Sequence, residues 1–390
     1  MQNNKLIEIF FTALKLGVLS FGGPIAHLGY FHEEYVKRKK WLDEKRYADI
    51  VALCNFLPGP SSSQVGLSIG YIRGGMLGSF FSWLGFTLPT FIGLVLFGLL
   101  IQSSTSRNYN WVHGLKIVAV SVVAHAVYNM FKNLVKDKFQ KMIFLLSTCF
   151  VLIFPNSIGQ LSVLVLSGFI GYIVYKNEDQ ESKTPVYNSF NKKWGIVSFI
   201  LFLFLLIGLP FLNKYVHNSY TNIANVFYRT GSFVFGGGHV VLPLLQTEFT
   251  GKGLLSTNEF LAGYGVTQAM PGPIFTFSAY IGTLLNGIKG AVTATLFMFL
   301  PSFLLVFSAL PYWENLRGHS IFRAALKGVN ASVVGILFAA FYNPIFTSSI
   351  LSSVDFVIAV FGFMLLEVWK LASWKVVCVV GILGWLSTYL

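Results

Sequence analysis

Two short stretches have residue types and spacing suited to a particular chemistry. Pro58-Gly59-Pro60 is followed by Ser61, Ser62, Ser63 and Gln64, and Pro271-Gly272-Pro273 is followed by Ile274, Phe275 and Thr276. Proline lacks a backbone N–H and disfavours helical geometry in the residue before it, so neither stretch continues a helix. Proline does suit the first turn of a new helix. Each stretch therefore reads as a break at membrane depth, with a half-helix starting just after it. Such a start presents unpaired N–H groups and the positive end of a helix dipole, which suits an anion. Ser61, Ser62 and Ser63 add hydroxyls and Gln64 an amide; the second copy adds Thr276 and Ser278. Ordinary N-capping is the alternative reading of the serines. Capping and anion binding use the same geometry, so the two are compatible.

Other candidates recur with these breaks. Gly22-Gly23 and Gly236-Gly237-Gly238 allow close backbone approach or unusual dihedral angles, and His27 and His239 follow them. The glycines read as breaks in the first helix of each copy or as tight packing points. The histidines read as oxyanion donors, proton relays or satisfied structural residues. Glu34 and Glu248 occupy matching places and are candidate proton-coupling carboxylates, the alternative being an interfacial helix end. Arg73, Lys289, Lys116 and Lys327 can counter an anion or snorkel to the interface.

Composition fixes the surroundings of these groups. Only 11% of the 390 residues are charged and 54% are apolar, with a mean hydropathy of +0.66. A soluble chain carries about a quarter charged residues. The reading is an all-α polytopic membrane protein, multi-pass in the inner or plasma membrane, with the lipid bilayer as a partner. The formal charge of +13 sits mainly in short loops, where it sets topology and gives no reason to expect nucleic acid. Cys54, Cys149 and Cys378 lack metal-ligand spacing and read as buried free thiols. Met1 to Gly17 lacks a cleavable-signal pattern, because Glu8 and Lys15 interrupt the apolar run.

The chain is a tandem duplication. Phe21-Gly22-Gly23 matches Phe235-Gly236-Gly237, and Leu88-Pro89 matches Leu300-Pro301. Gly75 and Gly78 match Gly287 and Gly290, and Ser121-Val122-Val123 matches Ser332-Val333-Val334. The copies run 1–176 and 216–390. Between them, 177–215 is a polar linker with an unpaired apolar run at 194–212, long enough to span. One unpaired crossing inverts the second copy in the membrane. Loop charges agree: residues 35–46 carry Lys37, Arg38, Lys39, Lys40, Lys45 and Arg46, while 249–260 carries only Lys252. Residues 132–141 carry Lys132, Lys136, Lys138 and Lys141, while 344–355 carries no basic residue. The bias reverses at the alternate loops. Cytoplasmic loops are enriched in Lys and Arg, so the expected fold is two inverted-topology repeats with broken, re-entrant half-helices at the centre. The broken segments expected are 5–21, 25–37, 44–57 and 61–73, with 219–234, 239–249, 257–269 and 274–286 as their counterparts. Pieces so short survive at membrane depth only inside protein or beside a wet cavity.

Phe21 to His27, Trp41-Leu42 and Asn55 to Pro60, followed by Gly236 to His239 and Gln268 to Pro273, resemble the chromate ion transporter family in its long, two-domain form. The resemblance covers nearly the whole chain. It implies secondary active efflux of chromate driven by the proton-motive force, with sulfate as the close analogue, and no cofactor. Chromium enters only as the oxyanion and not as a bound metal. A homodimer is compatible with this form. A sulfate transporter, another anion transporter or an anion channel are the alternatives. Enzyme chemistry has less support: no phosphate-binding Gly-x-x-x-x-Gly-Lys-Ser/Thr loop and no His-Glu-x-x-His zinc motif occur, and nothing in the spacing requires Ser61 and His27 to pair as nucleophile and base.

Overall fold

A computed structural model describes residues 2–21, 23–103, 110–176, 192–216, 218–235, 238–312 and 320–389. Every regular element among them is helical. Six helices are long and apolar enough to cross a membrane, by length and composition.

The helices follow the expected order closely. In the first copy they are α1 (Gln2–Leu19), α2 (Gly23–Phe31, continued by a π-helical turn His32–Arg38), α3 (Glu44–Phe56), α4 (Ser61–Ser103), α5 (Asn110–Leu134), α6 (Lys138–Ile153) and α7 (Ser157–Tyr175). The unpaired crossing is α8 (Lys192–Tyr215). The second copy contains α9 (Ser219–Phe233), α10 (Val241–Phe249), α11 (Thr257–Ala269), α12 (Phe277–Ala309), α13 (Ser320–Ala340), α14 (Ser353–Glu367) and α15 (Ser373–Leu386). Polar side chains start many of these helices. Asp43, Asp137, Asn156, Asn218, Ser256 and Ser352 each accept a backbone N–H from the first turn. Each such cap stabilises its helix by about 1 kcal/mol.

Two long elements are folded back on themselves. In α4 the backbone leaves helical geometry at Gly74 and Gly75, the latter with φ 64°. Ser79 Oγ donates to the Leu67 carbonyl at 2.7 Å and Ser82 Oγ to the Gly66 carbonyl at 2.8 Å. Residues 61–73 and the helix after Gly75 therefore lie side by side, with Gly70 against Gly78 at the contact. In α12 the same reversal occurs at Asn286 and Gly287, with φ 59° at the glycine and Gly282 against Gly290. A positive φ favours glycine, and missing Cβ atoms let the two arms touch. Both reversals fall at the ends of the half-helices anticipated at 61–73 and 274–286.

The chain forms two compact units that cut across the sequence repeats. Unit 1 comprises Met1–Val95, Asp179–Gly238 and Pro271–Ser320; unit 2 comprises Leu96–Glu178, His239–Met270 and Ile321–Leu390. Within unit 1, α9 packs along α12, and α8 packs on both. Leu53, Leu57, Phe202, Leu209, Tyr228 and Leu305 form one buried cluster there, and Leu16, Phe31, Tyr35, Ile50 and Phe86 another. Most of α8 is exposed, including Phe204 and Ile207, as expected of a helix surrounded by lipid. Within unit 2, α5 is the central helix, packed on α11, α14 and α15.

The cysteines need a correction. Cys54 is buried, with Sγ 3.7 Å from Ser68 Oγ, but Cys149 and Cys378 are exposed. An apolar segment in a membrane chain has a lipid-facing side, so apolar surroundings in sequence do not imply burial in protein.

Candidate functional site

Both Pro-Gly-Pro breaks belong to unit 1. They are built alike. The residues before them, Leu57 and Met270, have nearly the same extended geometry, at φ −78°, ψ 145° and φ −79°, ψ 143°. Gly59 and Gly272 follow with φ 118° and 91°. The Gly59 N–H donates to the Val234 carbonyl at 2.6 Å, and the Gly272 N–H to the Ser20 carbonyl at 2.9 Å. Val234 and Ser20 each precede a Phe-Gly-Gly. Each break is thus tied to the end of the other copy's first helix.

A second reciprocal tie involves residues that the sequence reading passed over. Ser302 Oγ lies 3.4 Å from Gln64 Nε2, which also donates to the Pro58 carbonyl at 2.6 Å. Thr90 Oγ1 donates to the Pro271 carbonyl. Thr90 and Ser302 each follow the Leu-Pro pair that marks the repeat. A hydroxyl after both pairs was the available signal. Proline leaves a free carbonyl in the preceding turn of a helix, which makes a nearby hydroxyl easy to overlook as mere compensation.

The two breaks are linked through His27. Its Nδ1 lies 3.2 Å from Ser62 Oγ, and its ring meets Phe86 edge-on at 5.4 Å between centroids. The Phe86 carbonyl lies 3.3 Å from where a Cβ on Gly272 would sit. On the other side, Ile274 touches both glycine motifs, its side chain lying 3.9 Å from the Cβ position of Gly23 and 3.2 Å from that of Gly238. Pro58, Gly59, Pro60, Ser62, Ser63, Gln64, Gly23, His27, Pro271, Gly272, Pro273 and Thr276 are therefore gathered in one unit. Ser61 begins α4 and is half-buried. Gly22, Gly236 and Gly237 lie outside the described residues.

The hydroxyls do not behave as simple caps. Ser62 faces His27, while Ser63 Oγ is buried with no hydrogen-bond partner among the described residues. Thr276 Oγ1 is buried and equally unpartnered. Ser63 and Thr276 both stand third after their Pro-Gly-Pro. Among the described residues, His27 Nε2 and Gln64 Oε1 are also buried without a hydrogen bond of ordinary geometry, the Ser20 backbone being the polar neighbour of the His27 ring. Pro273 provides no side-chain cap for the turn after it. Buried polar groups are rarely left unpaired, and each one costs roughly 1–3 kcal/mol.

The remaining candidates lie elsewhere. His239 is in unit 2, with Nδ1 2.7 Å from Tyr264 Oη. Glu34 forms ion pairs with Lys15 at 2.6 Å and Arg38 at 3.5 Å. Glu248 pairs with Lys252 four residues on. Both carboxylates thus have basic neighbours, the arrangement of an interfacial helix end. Arg73 pairs with Glu8 at 3.7 Å and stacks over Trp41, and Lys327 sits over the Tyr175 ring at 5.0 Å. Among the described residues, no group of three or more His, Cys, Asp or Glu side chains is placed to hold a metal ion.

Comparison with known proteins agrees with this duplicated architecture. The sequence profile described as Chromate transporter matches the chain twice, at residues 7–172 and 221–385. An uncharacterized transporter of Methanocaldococcus jannaschii is 28% identical over 342 residues, covering 87% of this chain and 84% of that protein. A probable chromate transport protein of Synechococcus elongatus is 28% identical over 339 residues, covering 84% and 81%. A chromate transport protein of Pseudomonas aeruginosa is 25% identical over 402 residues, covering 97% and 92%. No solved structure matches the chain. With two matched repeats and membrane-length helices, this multi-pass membrane protein belongs to the Chromate transporter family.

Proposed function

We propose that the chain is a secondary active transporter of a small divalent oxyanion, chromate with sulfate as its analogue, coupled to the proton-motive force. The observation that carries this reading is the pair of unpartnered buried hydroxyls, Ser63 and Thr276, at matching positions of two half-helix starts. An anion between these starts supplies acceptors to both hydroxyls and to the free N–H groups of each first turn, and it meets two positive helix ends. His27 Nε2 becomes a further donor in the tautomer or charge state that carries its proton.

Flux of labelled chromate and sulfate into proteoliposomes, with and without an imposed pH gradient, tests the function. Accumulation that follows the gradient is expected; passive equilibration indifferent to it overturns the coupling. Thr276→Val tests the site in the same assay. Valine has a similar shape without the hydroxyl, so thermal stability holds or rises by about 1 kcal/mol as an unpaired polar group disappears. Transport falls about tenfold, the equivalent of 1.4 kcal/mol. Unchanged transport removes Thr276 from the pathway.

The repeats are inverted in this reading. Loops 35–46 and 132–141 face the cytoplasm, and 249–260 and 344–355 face outside, following their Lys and Arg content. Single cysteines at 37–40 and 250–252 will label with a membrane-impermeant reagent from opposite sides. Labelling of both from one side rejects the inversion.

A further inference from the structure

Unit 2 contains a cavity of about 420 Å³ that plays no part in the site above. Its walls come from the start of α5, the start of α11, the loop before α14 and the end of α15, and include His113, Lys116, Asn258, Ser352, Asp355 and Ser387. Lys116 is its principal cation. The residue is 8% exposed, yet its side chain lines the cavity.

The neighbouring carboxylate is already engaged. Asp355 Oδ1 lies 2.8 Å from His113 Nε2 and accepts from Ser387 Oγ at 3.4 Å. Asp355 Oδ2 accepts the N–H groups of Leu351 and Ser352, both at 3.0 Å. The Asp355 charge attracts Lys116, but no ion pair among the described residues includes Lys116. The Lys116 ammonium, open to the cavity, has three donors and no acceptor of its own. The matching lysine of the second copy has a different setting, with Lys327 over the Tyr175 ring and Tyr175 Oη bonded to both oxygens of Asp137.

We propose that this cavity is a second anion-binding site, in which Lys116 holds a small divalent oxyanion with the Ser352 hydroxyl and the Asn258 amide as further donors. The ligand class rests on the transport reading above; the location rests on Lys116 and the cavity. Both Asp355 oxygens are turned onto four donors and its charge faces the Lys116 ammonium, which weakens its repulsion of the anion without removing it, while Lys116 lacks the acceptors that an oxyanion brings. One water needs only roughly 10–15 Å³ of such cavity space, so a cavity of about 420 Å³ admits the anion partly hydrated. Under the inverted topology, the loops 249–260 and 344–355 put the cavity on the external face.

The test reads this cavity alone. In full-length protein with Cys54, Cys149 and Cys378 replaced, Thr388→Cys, at a position that lines the cavity, is modified by an uncharged thiol reagent, in sodium sulfate or in sodium gluconate at equal ionic strength. Sulfate is expected to slow modification at least about threefold. Lys116→Arg keeps the protection and Lys116→Gln removes it. Equal rates in the two salts with Lys116 present, or protection undiminished in Lys116→Gln, overturn the proposal; the first comparison holds even if the variant fails to fold. Protection without flux in the proteoliposome assay overturns the transport reading and leaves this site standing. Flux without protection does the reverse.

Discussion

Ser62→Asp is expected to abolish oxyanion transport while leaving the folded protein in the membrane. Ser62 lies in the first turn of the half-helix after Pro60, where an aspartate is welcome to the helix dipole and to the free N–H groups. Its neighbour His27 keeps a hydrogen-bonding partner, since a carboxylate replaces the hydroxyl 3.2 Å from Nδ1. The anion, however, meets a fixed negative charge. At an effective dielectric of about 20, two unit charges 4 Å apart interact by about 4 kcal/mol, and a divalent ion is repelled more strongly. Binding weakens by more than about a hundredfold, since each 1.4 kcal/mol is tenfold. Ser62→Ala loses one hydrogen bond worth roughly 0.5–1.5 kcal/mol, about a two- to twelve-fold loss and far less than the aspartate causes. The two variants are compared by labelled chromate and sulfate flux at matched membrane expression. Parental flux in Ser62→Asp places the anion elsewhere.

Gly272→Ala carries the second large effect, this time on the fold of unit 1. The glycine has φ 91°, and a Cβ there runs into Thr90 Oγ1 and lies 3.3 Å from the Phe86 carbonyl. Thr90 cannot simply turn aside, because its hydroxyl bonds the Pro271 carbonyl. Left-handed backbone costs an alanine roughly 1–2 kcal/mol, and forcing an extra carbon into a filled space costs typically 1–3 kcal/mol more. A loss of about 2–5 kcal/mol follows, with transport falling in step as the tie from Gly272 to the Ser20 carbonyl is disturbed. Gly75→Ala is the control. Its φ of 64° and ψ of −156° also belong to glycine, but nothing lies within 4 Å of the added carbon, so only the backbone penalty of roughly 1–3 kcal/mol applies. Thermal unfolding in detergent will rank Gly272→Ala well below Gly75→Ala. Equal stability of the two variants contradicts the packing described at the second break.

The helix pattern was largely legible because apolar length, proline and glycine act locally. Pro-Gly-Pro stops a helix wherever it occurs, and Gly75 and Gly287 turn the chain without help from distant residues. The hydrogen-bond partners were not legible. Val234 receives the Gly59 N–H although 175 residues separate them in the numbering, and no periodicity encodes that pairing. Thr90 and Ser302 lie in the interior of long helices, and only the fold brings their hydroxyls onto the breaks.

By itself the sequence determined that the chain is helical, lies in a membrane, is duplicated, and breaks its helices at two matching points. These properties follow from backbone chemistry, hydropathy and internal identity, which need no knowledge of what is near what. Tertiary structure alone decided how the candidates are grouped. It draws His27 onto Ser62, leaves Ser63 and Thr276 buried without partners among the described residues, and gives Glu34 and Glu248 to neighbouring cations. It also places Lys116 beside a carboxylate whose acceptors are already engaged. Whether a polar group is satisfied depends on every donor and acceptor within about 3 Å of it, and that neighbourhood exists only in the folded chain.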